Sequence, residues 1–454
     1  MLKQKIFQTT MKAIKIAITI GLIITGICAC KKTETTPGTD YSVTGPKYQS
    51  LDTLERQYSS LNNCIYNVMK SWYLWNDKTP TVDYNNSKYN DPNVLLNDMK
   101  YQALDRYSFI LDASTSSAFF EGGQNGDKGI DFALEDEYAI KVSFVYPNSP
   151  AANAGIYRGM KMTKINSKDA LSAFNDQSIY TDLQQSTISF EFEDTLGKTN
   201  TYSVSNGVYT IKTVPVKKII IQNGRKIGYL VFTSFIGTAK QELDDAFTYF
   251  QDNGIDELVL DLRYNGGGYV YIANQLAAEI GGDKVKNKVF AKYTFNAELN
   301  KQLSTEAKTE MFNAVTSKLN IKRVFIIMSK NTASASELVI NGLKPYMDVK
   351  TIGYYSYGKP VGFPGYGYKD KVIYAVTFST VNAWGEGDYY HGIIPDKLSR
   401  DGLRYPLGDV RENRLADALF YIKNENFNTS LARSEEVTGK FFEKKGLNAV
   451  SGTY

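Results

Sequence analysis

The stretch SKNTASASELVINGLKPY, residues 329–346, sets Thr332, Ser334 and Ser336 between an apolar strand-like run and a helix-like run. A hydroxyl at the start of a helix has two uses. It can cap the helix, or it can attack as a nucleophile where the outward N–H groups stabilise the negative charge that develops. Ser334 and Glu337 fit the Ser-x-x-Glu capping box, which accounts for one serine and one glutamate and leaves the rest unexplained. A triple glycine, residues 266–268 in DELVLDLRYNGGGYV, could bring a further N–H close, because glycine lets backbone approach tightly. No Gly-Lys-Ser/Thr follows it, so it is not a phosphate loop. A nucleophile also needs a base. His391, the one histidine, is the only imidazole for it, and Asp388 or Asp396 could orient it.

Composition narrows the chemistry. The chain has one histidine and three cysteines, so multi-histidine zinc sites are excluded. Ser, Thr, Lys, Asp, Glu and backbone groups must do the work, with no cofactor and no metal. The 454 residues, 43% apolar and 22% charged, suffice for two or three domains with sizeable cores.

The N-terminus reads as an export signal: Lys12 and Lys15, an apolar run over residues 16–27, then CACKK. The run is shorter than the ~20 residues a spanning helix needs. ICAC, residues 27–30, resembles the bacterial lipobox, which implies cleavage after residue 29 and a lipid anchor on Cys30. Cleavage removes four lysines and no acid, cancelling the net charge of +4, so nothing electrostatic points to nucleic acid. It also leaves Cys64 as the one free thiol, with no disulfide framework. The expected location is a bacterial cell envelope, in the outer membrane, facing periplasm or cell surface.

Residues 30–50 are a Thr/Pro/Gly-rich tether. Leu51, Leu54, Tyr58, Leu61, Ile65, Val68, Trp72 and Trp75 follow spacings of three and four, predicting one apolar helix face and a small helical domain over 51–120. Trp72 and Trp75 read as core. From 125 to 212 the pattern is short strands broken at Pro147 and Pro150. From 213 to 425 strands and helices alternate, with a helix over 239–253 and strands at IKRVFIIMS and DVKTIG, and a tail follows over 426–454. The fold class is α/β and multi-domain.

SPAANAGIYRGMKMTKINS resembles a PDZ domain, and KGIDFAL, with Gly129, Ile130, Asp131 and Phe132, sits where the carboxylate-binding loop belongs. Such domains hold a peptide by strand addition while loop N–H groups capture its terminal carboxylate. Asp131 stands where a second loop glycine is common. LVLDLRYNGGG, TASASELVINGL, GYYSYGKPVG and HGIIPD occur in the order of the carboxyl-terminal processing, or tail-specific, serine peptidases. That resemblance implies an α/β catalytic domain of spiral character, Ser334 as nucleophile, Lys359 as base, and an oxyanion hole from the N–H groups of Gly267 and Ser334, with Gly268 the alternative glycine. It implies protein or peptide substrates with exposed C-termini. A lysine base must be neutral, so burial has to lower its pKa by roughly 3 units. The residue before the glycine in HGIIPD is variable in the family, which favours Lys359 over His391. Phe363 stands where many relatives carry a glutamine that orients the lysine, so a catalytically silent, peptide-binding lipoprotein is the alternative.

Overall fold

The structure, a computed structural model, describes residues 51–135 and 138–428. The signal, the tether, Cys30 and the tail beyond 428 lie outside the described residues. The described chain is a mixed α/β, multi-domain fold of helices and several sheets.

It divides into two compact units. Within the described residues the first comprises 51–113, 292–310 and 361–380. Its helices are Leu51–Gln57, Leu61–Ser71, Pro92–Met99 and Ala297–Gln302, besides short 3-10 turns. The apolar spacing predicts one continuous face from 51 to 75, whereas the chain breaks before Leu61. Ser60 caps the second helix there by accepting from the Asn63 N–H at 3.1 Å. Cys64, Ile65, Val68 and Met69 are buried on that helix, and burial pushes the Cys64 thiol up to about 12. Trp72 is core, stacked on Tyr366 at 4.9 Å. The helical segment does not close by itself. Strand Phe109–Asp112 pairs antiparallel with Lys371–Tyr374, so the helical segment expected over 51–120 includes a strand whose sheet partner comes from later sequence.

The second unit holds both the β-rich and the α/β regions. Its β-rich part runs β1 (Ile130–Glu135), β2 (Ala139–Val145), β3 (Lys161–Ile165), β4 (Thr187–Glu193) and β5 (Thr199–Ser205), adjacent in that order and antiparallel, with β1 at an edge. The Ser-Pro-Ala helix start is real: Ser149 Oγ accepts from the Ala152 N–H at 3.2 Å.

The α/β part is a six-stranded sheet of β6 (Val216–Gln222), β7 (Arg225–Val231), β8 (Glu257–Asp261), β9 (Arg323–Met328), β10 (Asp348–Gly353) and β11 (Lys397–Leu398), again in that order. β6 and β7 form an antiparallel hairpin, and every later pairing is parallel. Helices α1 (Ala239–Asn253), α2 (Val270–Gly281) and α3 (Ala335–Leu343) share a core with Leu258, Leu260, Val324 and Ile326. Helix α4 (Asn413–Asn424) packs in a second core with the alternate residues Val259, Phe325 and Ile327. Parallel strands covered on both faces read as unbroken apolar runs, as LVL and VFII do. Open parallel sheets present their sites at the strands' carboxyl ends, where β8 leads into the glycine loop and β9 into the serine turn.

Candidate active site

The hydroxyl block after β9 divides by partner. Thr332 Oγ1 donates to the Leu262 carbonyl at 2.8 Å, Ser336 Oγ donates to the Asn265 carbonyl at 3.0 Å, and both residues are fully buried. These two fasten the turn to the loop after β8. Ser334 is half-buried and holds φ 55°, ψ −113°, a conformation that is an outlier for a residue with a Cβ. Such strain on a strand-to-helix turn lifts a side chain clear of its neighbours and is kept where the surroundings enforce it.

The glycine loop meets this turn. A Cβ on Gly267 would lie 2.9 Å from Ser334 Cβ and 3.1 Å from the Ala335 nitrogen, so only glycine fits against the serine. Gly268 answers to a different neighbour: a Cβ there would lie 2.2 Å from the Phe235 carbonyl oxygen. Asn265 organises both segments. Its carbonyl accepts from the Ala333 N–H at 3.2 Å and from Ser336, and its Oδ1 accepts from the Gly267 N–H at 2.9 Å.

Glu337 is the hub that capping-box reasoning undervalued. Fully buried, its Oε2 accepts from the Ser334 N–H and from the Lys359 N–H, each at 2.8 Å. Its Oε1 accepts from Ser356 Oγ at 2.5 Å and from the Gly358 N–H at 2.7 Å. The backbones of the expected nucleophile and the expected base therefore hang on one carboxylate oxygen. Burial pushes the Glu337 carboxyl above its ordinary value, against the opposing pull of its donors, with Ser356 first. Lys359 itself is 8% exposed.

The lysine loop is fixed from behind as well. The Tyr357 N–H donates to the Thr332 carbonyl at 2.9 Å, and the Ile393 N–H donates to Ser356 Oγ at 2.6 Å. A Cβ on Gly358 would lie 2.4 Å from the Tyr390 carbonyl oxygen, and one on Gly392 would lie 2.3 Å from that of Ser356. HGIIPD is thus a brace for the lysine loop. His391 within it is exposed, and Asp396 Oδ2 is taken by the Thr351 N–H and hydroxyl at 2.7 and 3.0 Å.

One expectation needs correction. The Ser334 N–H, assigned to an oxyanion hole, is bonded to Glu337, and the Gly267 N–H is bonded to Asn265. The reason is the strained turn, which aims the Ser334 N–H at a buried carboxylate. Phe363 makes aromatic contacts with Phe109 and Tyr374 at 5.7 and 5.3 Å, an apolar role in place of a glutamine's. The four residues of the expected peptide-binding loop, Gly129, Ile130, Asp131 and Phe132, are all buried at the start of β1. Among the described residues no group of acidic, histidine or cysteine side chains could hold a metal ion, and no helix is long and apolar enough to cross a membrane.

Residues 226–398 match the model of peptidase family S41, and residues 60–109 match the peptidase S41 N-terminal domain. Residues 60–109 and 226–398 are thus S41 peptidase domains. It is 28% identical over 306 residues to a Staphylococcus aureus protein named "Probable CtpA-like serine protease", a match covering 64% of this chain and 56% of that protein. It is 24% identical over 380 residues to the carboxy-terminal processing protease CtpA of Bacillus subtilis, covering 82% of this chain and 75% of that one. Among solved structures, an S41 protease candidate from Bacteroides fragilis superposes with a TM-score of 0.65 at 24% identity, over 80% of this chain and 97% of that one. The fold is that of the S41 peptidases.

Proposed function

We propose that this chain is a serine endopeptidase that cleaves exported proteins through an acyl-enzyme, with Ser334 as nucleophile and Lys359 as general base. The observation that carries the reading is the shared Glu337 oxygen, which holds the backbones of both residues at 2.8 Å. Lys359 takes the Ser334 proton, Ser334 attacks the scissile carbonyl, and the lysine returns the proton to the leaving amine before activating the deacylating water. The near-complete burial of Lys359 is what a neutral lysine requires. For the oxyanion, the Ala335 N–H replaces that of Ser334. It opens α3, where an N–H has no intrahelical acceptor, and it lies beside Gly267. The glycine loop supplies the second donor once Asn265 releases Gly267, or from Gly268.

The β-rich part is read as a PDZ-like domain that holds substrate by strand addition at the edge of β1. A lipid on Cys30 anchors the mature chain to an envelope membrane. The engaged N–H groups of Ser334 and Gly267 favour one second reading, a silent peptide-binding lipoprotein on the same scaffold. Incubating the purified chain with an unfolded protein, beside Ser334→Ala, separates the two: cleavage by the first and none by the second supports the peptidase, and no cleavage by either supports the binder.

A further inference from the structure

The loop that should receive a substrate's terminal carboxylate already carries one of its own. The Gly129 N–H donates to Asp127 Oδ1 at 2.7 Å, Tyr209 Oη donates to the same oxygen at 2.9 Å, and Asn125 Nδ2 donates to Oδ2 at 2.9 Å. Burial, and after it the Asp127 charge, hold the Tyr209 phenol well above its ordinary value, as expected beside an anion. The loop is closed from the other side by the Tyr146 N–H on the Gly129 carbonyl at 2.9 Å and the Ala151 N–H on the Lys128 carbonyl at 3.0 Å.

The charges around it are wrong for a second carboxylate. Lys128, the cation of the loop, is 2% exposed, and its Nζ donates away to the Gln185 carbonyl at 2.6 Å and Asn206 Oδ1 at 2.7 Å. Asp131, at the position of a loop glycine, is 1% exposed, with its Oδ2 3.4 Å from Asn331 Nδ2. An incoming terminal carboxylate would have to displace Asp127 from Gly129 and settle near Asp131, against like charge in a partly desolvated site. An extended segment without a terminal carboxylate brings no such charge, and β1 is an edge strand whose residues 133–135, beyond its buried start, are partly exposed for strand addition through backbone groups.

We propose that the β-rich domain selects internal, extended segments of unfolded chains and not free C-terminal tails, with Asp127 and Asp131 as the residues that set this preference. This rests on the reading of the domain as the substrate-holding module of the peptidase. The test uses the full chain carrying Ser334→Ala and two fluorescent peptides of one sequence with an apolar last residue, one a free acid and the other a C-terminal amide. Anisotropy should give the amide an affinity equal to or tighter than the acid. Asp131→Gly, and separately Asp127→Ala, should each shift the acid-to-amide ratio toward the acid by about 10-fold. Acid binding about 10-fold tighter than amide before either substitution would overturn the inference. So would a ratio that neither substitution moves in a protein of unchanged melting temperature. Failure of the peptidase reading shows separately: the chain with Ser334 intact would cleave neither peptide, while the binding ratio still decides the preference.

Discussion

At Ser334 the backbone holds φ 55° with a Cβ attached, and around it two hydroxyls are spent on carbonyls while the third is left partly exposed. That division was half legible. The spacing of TASASE marks a helix start, and the resemblance singles out Ser334, but nothing in the pattern says that Thr332 and Ser336 fasten the turn. Glu337 shows why. A capping box explains it completely at the level of local sequence, and its further donors come from Ser356, Gly358 and Lys359, a loop that only the tertiary fold brings near. Hydrogen bonds to a buried carboxylate contribute about 1.5–3 kcal/mol each, and an amide in its place would turn a donor toward one of these donors. Glu337→Gln should therefore lower kcat by about 10-fold or more while KM changes little, because the dyad and not substrate binding loses its frame. Steady-state kinetics beside circular dichroism would check it; unchanged kcat in a folded variant would remove the clamp from the account.

The elements were legible where burial leaves a signature. LVL and VFII announce strands covered on both faces, the helix at 239–253 appears at its expected bounds, and DVKTIG is β10. The break before Leu61 was hidden because the apolar spacing continues across it while Ser60 caps a new helix. The pairing of Phe109–Asp112 with Lys371–Tyr374 was hidden for a different reason: long-range register leaves no trace in local periodicity. Helix α2 carries an acid in its buried face. Glu279 is fully buried, its Oε1 accepts from Gln275 Nε2 at 3.3 Å, and burial holds its carboxyl well above the ordinary range. A carboxyl whose folded pKa is raised keeps its proton in the native state after the unfolded chain has lost it. Stability from this group is complete below its unfolded pKa of about 4.3 and declines as pH rises above it. Glu279→Gln should flatten that decline and make the protein more stable than wild type at pH 8, by on the order of 1 kcal/mol. Urea midpoints at pH 5 and pH 8 read the difference, and a variant no more stable at pH 8 would contradict it.

Across the whole molecule, the β-rich and α/β parts of the second unit are joined by buried charge. Arg263, fully buried, pairs with Asp261, Glu412 and Asp401 at 2.7–2.8 Å, and Arg158 from the β-rich part reaches Asp401 at 2.6 Å. Burial alone would raise the Asp401 carboxyl, but Arg158, Arg263 and Arg414 hold it well below the carboxylate range. Arg263 follows β8 by two residues, so the same network anchors the loop that carries Gly267. Localisation belongs to this scale too: Cys30→Ala should move the protein from the membrane to the soluble exported fraction, and identical fractionation of a lipid-free wild type would refute the anchor. The central claim is that a lysine, and not the one histidine, is the base. Peptide hydrolysis by Lys359→Ala, Ser334→Ala and His391→Ala, measured side by side on folded proteins, tests it most directly. Lys359→Ala should lose as much activity as Ser334→Ala, with His391→Ala keeping most of it; activity retained in Lys359→Ala and lost in His391→Ala would contradict the account.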